Sequence, residues 1–365
     1  MAEDINVLVV DDSALMRKLV STMVDQTPGL HVVDTAMNGK LALEKIPKLE
    51  PDAICLDLEM PEMNGIEFLR ERKKRGITIP VIVLSSIAEK GASVTMEALS
   101  LGASDFVTKP SGAISVDVAK VKDRVSELLL AYGGKYRRFK KPNAALPPMP
   151  GASLPPPHAL PEKKIVPLTK PGKVELIAIG ISTGGPEALR VVFANLDPDL
   201  KVPILVVQHM PAGFTLEFAR SLDKICPLEV KEAEEGEMVV PGRILIAEGS
   251  KHLEVERVGV GGIVHLSDTP PVSGHKPSAD VLFASVALGY RNHALGVIMT
   301  GMGRDGAAQI GSIYREGGLT LGQDEKSAIV YGMPRVAFEM GHVMEQVPLS
   351  NMGQRISQVA KASHL

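Results

Sequence analysis

The chain has 365 residues, 45% of them hydrophobic, and a formal net charge of −3. That length suggests two domains of ordinary size, and the lack of a basic excess argues against a nucleic-acid partner. Its two cysteines, Cys55 and Cys226, fall in no metal-ligand spacing, no apolar run approaches the ~20 residues needed to cross a bilayer, and the opening residues show no leader pattern, so a cytoplasmic protein without membrane insertion is expected.

The first predicted element is Ile5 to Val10, an unbroken apolar run suited to a strand buried on both faces of a parallel sheet. Similar runs follow at Ala53 to Leu58, Val81 to Leu84 and, shorter, Phe106-Val107, with helical patterns between them. Alternating strand and helix implies a doubly wound sheet, whose sites lie at the carboxyl ends of its strands. Polar residues occupy those ends: Asp11 and Asp12, then Asp57, then Ser85, then Lys109. Three carboxylates at one sheet edge repel one another unless a cation sits among them, and hard oxygen ligands suit Mg²⁺. A lysine and a hydroxyl beside them would stabilise a phosphoryl group.

The segments Val-Asp-Asp, Leu-Asp57-Leu-Glu-Met-Pro-Glu-Met-Asn-Gly, Leu-Ser85-Ser and Gly-Ala-Ser-Asp-Phe-Val-Thr-Lys109-Pro resemble response-regulator receiver domains over roughly residues 4–125. The resemblance implies Asp57 as phosphoacceptor, Mg²⁺ held by Asp11, Asp12, Asp57 and the Glu59 carbonyl, Ser85 and Lys109 as the switch pair, and a histidine kinase as phosphodonor.

Between Gly133 and Gly172 the composition shifts. The basic run Lys135 to Lys141 gives way to Leu-Pro-Pro-Met-Pro and Leu-Pro-Pro-Pro, and proline at this density favours an extended linker. The expected division is residues 1–132 as a first domain, 133–172 as a Pro-rich linker and 173–365 as a second domain.

The second domain opens on Leu176 to Leu189, where an apolar strand meets Gly180-x-Ser182-x-Gly184 and then Pro186 with helix formers behind it. That reads as strand, tight turn and helix, with the serine hydroxyl at the turn and backbone N–H groups free to face an anion. The pattern fits a nucleophile elbow; a serine that merely caps the helix, or glycines that cradle a phosphate, fit it as well. Ile204 to Gln208 is a second buried strand, ending on His209, the side chain best suited to take a proton from a serine near neutral pH. Leu228 to Leu266 reads as short strands in an antiparallel extension, with the acidic run Glu232 to Glu237 as solvated surface. Ser278 or Asp280 is expected to cap the helix Val281 to Leu288; His275 could line a site, though a structural role is the expectation.

Ala294 to Thr300 is the next strand, followed by Gly301-Met-Gly-Arg-Asp305-Gly306, with Asp324 and Glu325 further on. As G-x-G-x-x-G this is a dinucleotide-binding pattern. Against it, Asp305 places a negative charge in the loop meant for a pyrophosphate. As an acceptor for the second nitrogen of His209, the same carboxylate has a task. Ser182, His209 and Asp305 each follow a buried strand, and a hydrolase accounts for all three. A receiver fused to a nucleotide-binding output domain is the alternative.

The segments around Ser182, His209 and Asp305, with Gly-His-Lys-Pro-Ser-Ala-Asp-Val-Leu-Phe and Tyr-Gly-Met-Pro, are similar to the receptor methylesterases of bacterial chemotaxis over about 174–350. Ile181 stands where that family commonly has alanine. The resemblance implies a Ser182–His209–Asp305 triad needing no cofactor for the ester chemistry, with the Met302 amide as a candidate oxyanion donor. It implies glutamyl methyl esters on the cytoplasmic helices of chemoreceptors as substrates and deamidation of glutamines as a second activity. That receiver and output domain share one chain suggests that the unphosphorylated receiver blocks the Ser182 site and that phosphorylation of Asp57 opens it; a receiver that only localises the enzyme beside its kinase is the alternative. The fold class expected is two doubly wound, mainly parallel α/β domains, one flavodoxin-like and one Rossmann-like, the latter with a short antiparallel extension.

Overall fold

A computed structural model describes residues 4–86, 89–109, 116–140, 167–259 and 261–362. The chain divides into two compact units, Met1–Pro156 and Pro157–Leu365. In the first, strands and helices alternate strictly: β1 (Ile5–Val10), α1 (Ala14–Asp25), β2 (Leu30–Ala36), α2 (Gly39–Leu49), β3 (Ala53–Asp57), α3 (Gly65–Lys74), β4 (Val81–Ser85), α4 (Glu89–Ser100), β5 (Asp105–Thr108) and α5 (Val116–Lys140). The strands form one parallel sheet in the order β2-β1-β3-β4-β5. β1, β3 and β4 are almost wholly buried, as their unbroken apolar runs require of strands covered on both faces. Side chains start the helices: Ser13 caps α1, Asn38 caps α2, and Asn64 with Glu67 closes a capping box on α3.

The helix at the end of this unit corrects the linker boundary expected at residue 133. α5 continues to Lys140, and a Cβ on Gly133 would lie 2.5 Å from Ile5 Cγ2, so this glycine admits β1 against the helix. The basic run reads as solvated linker until its partners are seen. Arg137 is 4% exposed and donates to the Asp52 carboxylate and the Asp4 carbonyl, so its buried charge is paired. Residues 141–166, which hold the proline clusters, lie outside the described residues.

The second unit comprises β6 (Leu176–Ile181), α6 (Gly185–Ala194), β7 (Ile204–Gln208), α7 (Thr215–Asp223), β8 (Glu229–Glu232), β9 (Met238–Val239), β10 (Arg243–Ile246), β11 (His252–Val258), β12 (Gly261–Ser267), α8 (Ala279–Tyr290), β13 (Ala294–Ile298), α9 (Ile310–Arg315), β14 (Leu319–Gln323), α10 (Met333–Glu339), β15 (Glu345–Val347) and α11 (Leu349–Ala362). Seven strands form a sheet in the order β15-β14-β13-β6-β7-β10-β8, every pairing parallel. The antiparallel part is smaller than expected, a separate sheet of β11, β12 and β9. β8 and β10 are parallel members of the main sheet. The turn signal Pro241-Gly242 suggests a hairpin, but Ile244–Ile246 is a continuous buried run, which belongs to a sheet covered on both faces.

Topology positions the site. The chain leaves β6 on one side to build β7 and returns on the other through β13, so β6 lies at the switch in strand order, where a doubly wound sheet opens a crevice beyond its carboxyl ends. α8 packs beneath that edge through Leu282, Phe283 and Val286, all fully buried.

Candidate active site

Ser182 follows directly from β6. Its N–H donates to the Thr300 carbonyl at 2.9 Å, tying it to the end of β13, and its own carbonyl accepts from Gly185 N–H at 2.7 Å in a tight turn. Gly184 carries the turn at φ +81°, in the region glycine enters without strain, and Pro186 sits in the first turn of α6. The serine is 5% exposed, and its Oγ lies 3.0 Å from His209 Nδ1. The other ring nitrogen, Nε2, lies 2.7 Å from Asp305 Oδ2. The three residues come from the carboxyl ends of β6, β7 and β13, neighbouring strands that bring together positions far apart in sequence.

Asp305 is wholly enclosed and accepts from four directions. Oδ2 receives His209 Nε2 and Ala279 N–H (2.6 Å); Oδ1 receives the Ser278 hydroxyl (2.6 Å) and Asp280 N–H (3.2 Å). Two of these donors are the first N–H groups of α8, whose N-terminus favours negative charge. Burial alone would push this carboxyl up. The hydrogen bond and charge of His209, with Ser278 and Ala279, outweigh it and hold Asp305 below the ordinary carboxylate range. An ionised carboxylate only accepts, so the proton on His209 belongs on Nε2. Nδ1 then presents its lone pair to Ser182 Oγ, which is the arrangement of a general base beside a hydroxyl.

His275, expected to be structural, stacks on His209 with ring centroids 3.9 Å apart and planes 11° from parallel. Its loop is tied by Ser273, whose hydroxyl donates to Asp280 Oδ2. Ser278 does cap α8, but the same hydroxyl also grips Asp305, a task no local pattern reveals. Asp280, wedged between these loops, is pushed up by burial and by the Asp305 charge, though Gln309 N–H and other donors oppose this. The acidic run Glu232 to Glu237 is mostly solvated, with Glu237 paired to Lys231 and Arg243.

Behind Ser182 runs the loop that the sequence also allows as a nucleotide cradle. A Cβ on Gly301 would stand 2.8 Å from Ser182 Cβ, so this backbone passes directly beside the serine. The next amide, Met302 N–H, makes no hydrogen bond among the described residues. Gly303 and Gly306 take positive φ, and α9 begins only at Ile310, so the G-x-G-x-x-G loop does not open directly into a helix.

In the first unit, Asp11, Asp12 and Asp57 offer carboxylate oxygens within 4.8 Å of one another. Lys109 Nζ sits 2.8 Å from Asp57 and 3.1 Å from Asp11. Burial would lower this lysine, but hydrogen bonds and charge from the two aspartates raise it. Asp57 is pushed up by burial, with Lys109 opposing and the Asp11 charge assisting. One ammonium group shared by two buried carboxylates leaves the pocket with excess negative charge, and a hard divalent cation fits such a donor set. The Ser85 hydroxyl lies 2.5 Å from Thr95 Oγ1 at the end of β4, and Lys109 N–H donates to the Ser85 carbonyl, so both switch candidates stand at this edge. Glu59 is exposed just beyond Asp57.

Comparison with known proteins places both units. Residues 177–356 match the CheB methylesterase family model and residues 7–118 the response regulator receiver domain model. A protein-glutamate methylesterase/protein-glutamine glutaminase of Treponema denticola is 58% identical across 98% of this chain and 99% of its own length. The chain belongs to the CheB methylesterase family. A relative of the same description from Treponema pallidum is 49% identical over 98% of each chain. The crystal structure of the Thermotoga maritima CheB methylesterase catalytic domain aligns with a TM-score of 0.50 at 34% identity, covering 51% of this chain and 98% of that one. Membership makes the chain a receiver-linked chemotaxis hydrolase of this methylesterase and glutaminase type, and the nucleotide-binding alternative gives way to it. Ser182, His209 and Asp305 all lie within the matched CheB segment, and Asp11, Asp12, Asp57, Ser85 and Lys109 within the matched receiver segment.

Proposed function

We propose that Ser182, His209 and Asp305 are the catalytic triad by which this protein hydrolyses glutamyl methyl esters, and deamidates glutamines, on the cytoplasmic helices of chemoreceptors. The observation that carries the reading is the single imidazole bridging a hydroxyl at 3.0 Å and a buried carboxylate at 2.7 Å. As Ser182 Oγ attacks the ester carbonyl, its proton passes to His209 Nδ1. The imidazolium so formed is stabilised by Asp305 through Nε2. The negative charge that develops on the carbonyl oxygen is received by backbone N–H groups, of which Met302 is the candidate beside Ser182. Collapse of the tetrahedral intermediate expels methoxide, which takes the Nδ1 proton and leaves as methanol; from glutamine, ammonia leaves. Water, deprotonated by His209, then cleaves the acyl-enzyme to glutamate and regenerates the serine. No step requires a cofactor. Methanol release from methylated receptor tests the reading, and its persistence in Ser182→Ala would end it.

The receiver is proposed to span residues 1–140, and the catalytic domain to begin near residue 173. Asp57 is the proposed phosphoacceptor and a chemotaxis histidine kinase the phosphodonor, both in the cytoplasm. Asp11, Asp12, Asp57 and the Glu59 carbonyl would hold Mg²⁺, which when bound neutralises charge on the incoming phosphoryl group. Lys109 adds a fixed cation at the same carboxylate, and Ser85 is the proposed switch hydroxyl, bonded to Thr95 at the end of β4. Labelling of the protein by an acyl-phosphate donor is therefore expected to need Mg²⁺ and to vanish in Asp57→Ala. Esterase activity of Asp57→Ala is expected to stay at its unstimulated rate when the donor is added; a donor-dependent rise in that variant would remove Asp57 from the regulatory role. Among the described residues no helix is long and apolar enough to cross a membrane.

A further inference from the structure

Gln208 is the last residue of β7, 2% exposed, and immediately precedes His209. It pairs in register with Ile181, and the ladder between β6 and β7 closes with His209 N–H donating to the Ile181 carbonyl at 3.3 Å. Beyond that point the two chains part, one into the turn toward α6 and the other into the loop ahead of α7. No ladder bond remains to fix the distance between Ser182 and His209. The Gln208 side chain takes over that task. Its Nε2 donates to the carbonyl of Ser182 and to the carbonyl of His209, each at 3.2 Å. Both neighbours are carbonyl oxygens, so the amide nitrogen is the atom that faces them.

The other end of the amide sharpens the point. Gln208 Oε1 is buried, and no donor among the described residues reaches it. It lies against Gly185, where a Cβ would come within 1.8 Å of it. A residue serving packing alone would be better apolar here, since an isosteric side chain fills the same space and leaves no buried oxygen without a partner. The chain instead keeps the amide, and keeps a glycine in the first turn of α6 that makes room for it.

We propose that Gln208 is a positioning residue for the hydrolysis: its amide nitrogen clamps the carbonyls of Ser182 and His209 and so sets the span between nucleophile and base. The proposal rests on the reading of those two residues given above. Displacing the reacting pair by about 1 Å costs on the order of 10²-fold in rate, and it does so in turnover rather than in substrate binding.

The test uses full-length Gln208→Met, assayed for methanol release from methylated receptor beside wild type and Ser182→Ala. Expected are a kcat lower by about 10²-fold, a KM within about threefold of wild type, and a Tm equal or higher. Labelling of Ser182 by an organophosphonate, which needs the same pair but no receptor, should slow by a similar factor. Gly185→Ala, which drives the amide from its seat by a change on α6, should reproduce the loss of kcat with KM unchanged. A kcat within threefold of wild type in Gln208→Met overturns the proposal. So does a Gln208→Met protein that fails to fold, because the amide then serves stability, and so does near-wild-type turnover in Gly185→Ala. If Ser182→Ala is itself active, the nucleophile assignment has failed; if it is inactive while Gln208→Met is unimpaired, only the clamp has.

Discussion

Ser182→Ala is expected to lower kcat for methanol release by roughly 10⁴- to 10⁶-fold, because a triad without its nucleophile retains only binding and oxyanion stabilisation. His209→Gln should fall nearly as far, since an amide can accept a hydrogen bond from the serine but cannot take its proton. Combining the two should add less than about tenfold, as groups that act as a unit are lost together. Stability separates this outcome from damage to the fold. Among the described residues the Ser182 hydroxyl bonds only to His209, while the backbone contacts to Thr300 and Gly185 that hold the turn do not involve it. Tm should therefore move by no more than a degree or two in Ser182→Ala. Steady-state assays with methylated receptor in excess provide the measurement. A residual rate above a tenth of wild type, a loss of only ~1.4 kcal/mol in transition-state stabilisation, would show that Ser182 is not the nucleophile.

The parts of this site visible in the sequence are those that sit where strands end. A buried parallel strand announces itself as an apolar run, and the first polar residue after it must lie at the sheet edge; Asp11, Asp57, Ser182 and His209 were all legible on that ground. Asp305 was harder, because its loop also satisfies a nucleotide-binding pattern; its charge, Met302 between the glycines and the shared strand-end placement with Ser182 and His209 argued otherwise. The stacking of His275 on His209 and the Asp305 grip of Ser278 were not legible. Their tasks depend on α8 and the loop before it folding back under β13, a long-range arrangement that no local spacing encodes. Gln208 shows the limit most clearly. As the last residue of a buried run it reads as a strand terminus, and its value lies in two carbonyls, one of them 26 positions away. The helical end of α5 was hidden for the opposite reason: its basic surface pattern matched linker composition, and the packing shows in the close approach of Gly133 to Ile5 and the burial of Arg137 against Asp52.

Asp305→Asn should cost nearly as much as loss of the serine, about 10⁴-fold in kcat. The carboxylate accepts four hydrogen bonds, two on each oxygen, and an amide replaces one of those oxygens with a donor. If the NH₂ group faces Nε2, His209 must carry its proton on Nδ1, and the nitrogen facing Ser182 can no longer take one. If the amide turns the other way, its NH₂ meets the Ser278 hydroxyl and Asp280 N–H, and the α8 cap opens. Either placement disables the relay, so KM should change little while kcat collapses. The pH dependence of stability gives an independent check on the carboxylate. Asp305 is held below its ordinary value, so its contribution is fully present above about pH 4 and is lost as pH falls further, through the folded value. The Tm gap between wild type and Asp305→Asn should then stay constant from pH 8 to 5 and narrow only below about pH 4. A gap that instead closed between pH 7 and 6 would assign the titration to an imidazole rather than to this carboxylate, and an Asp305→Asn enzyme with a tenth of wild-type kcat would leave His209 oriented by something other than Asp305.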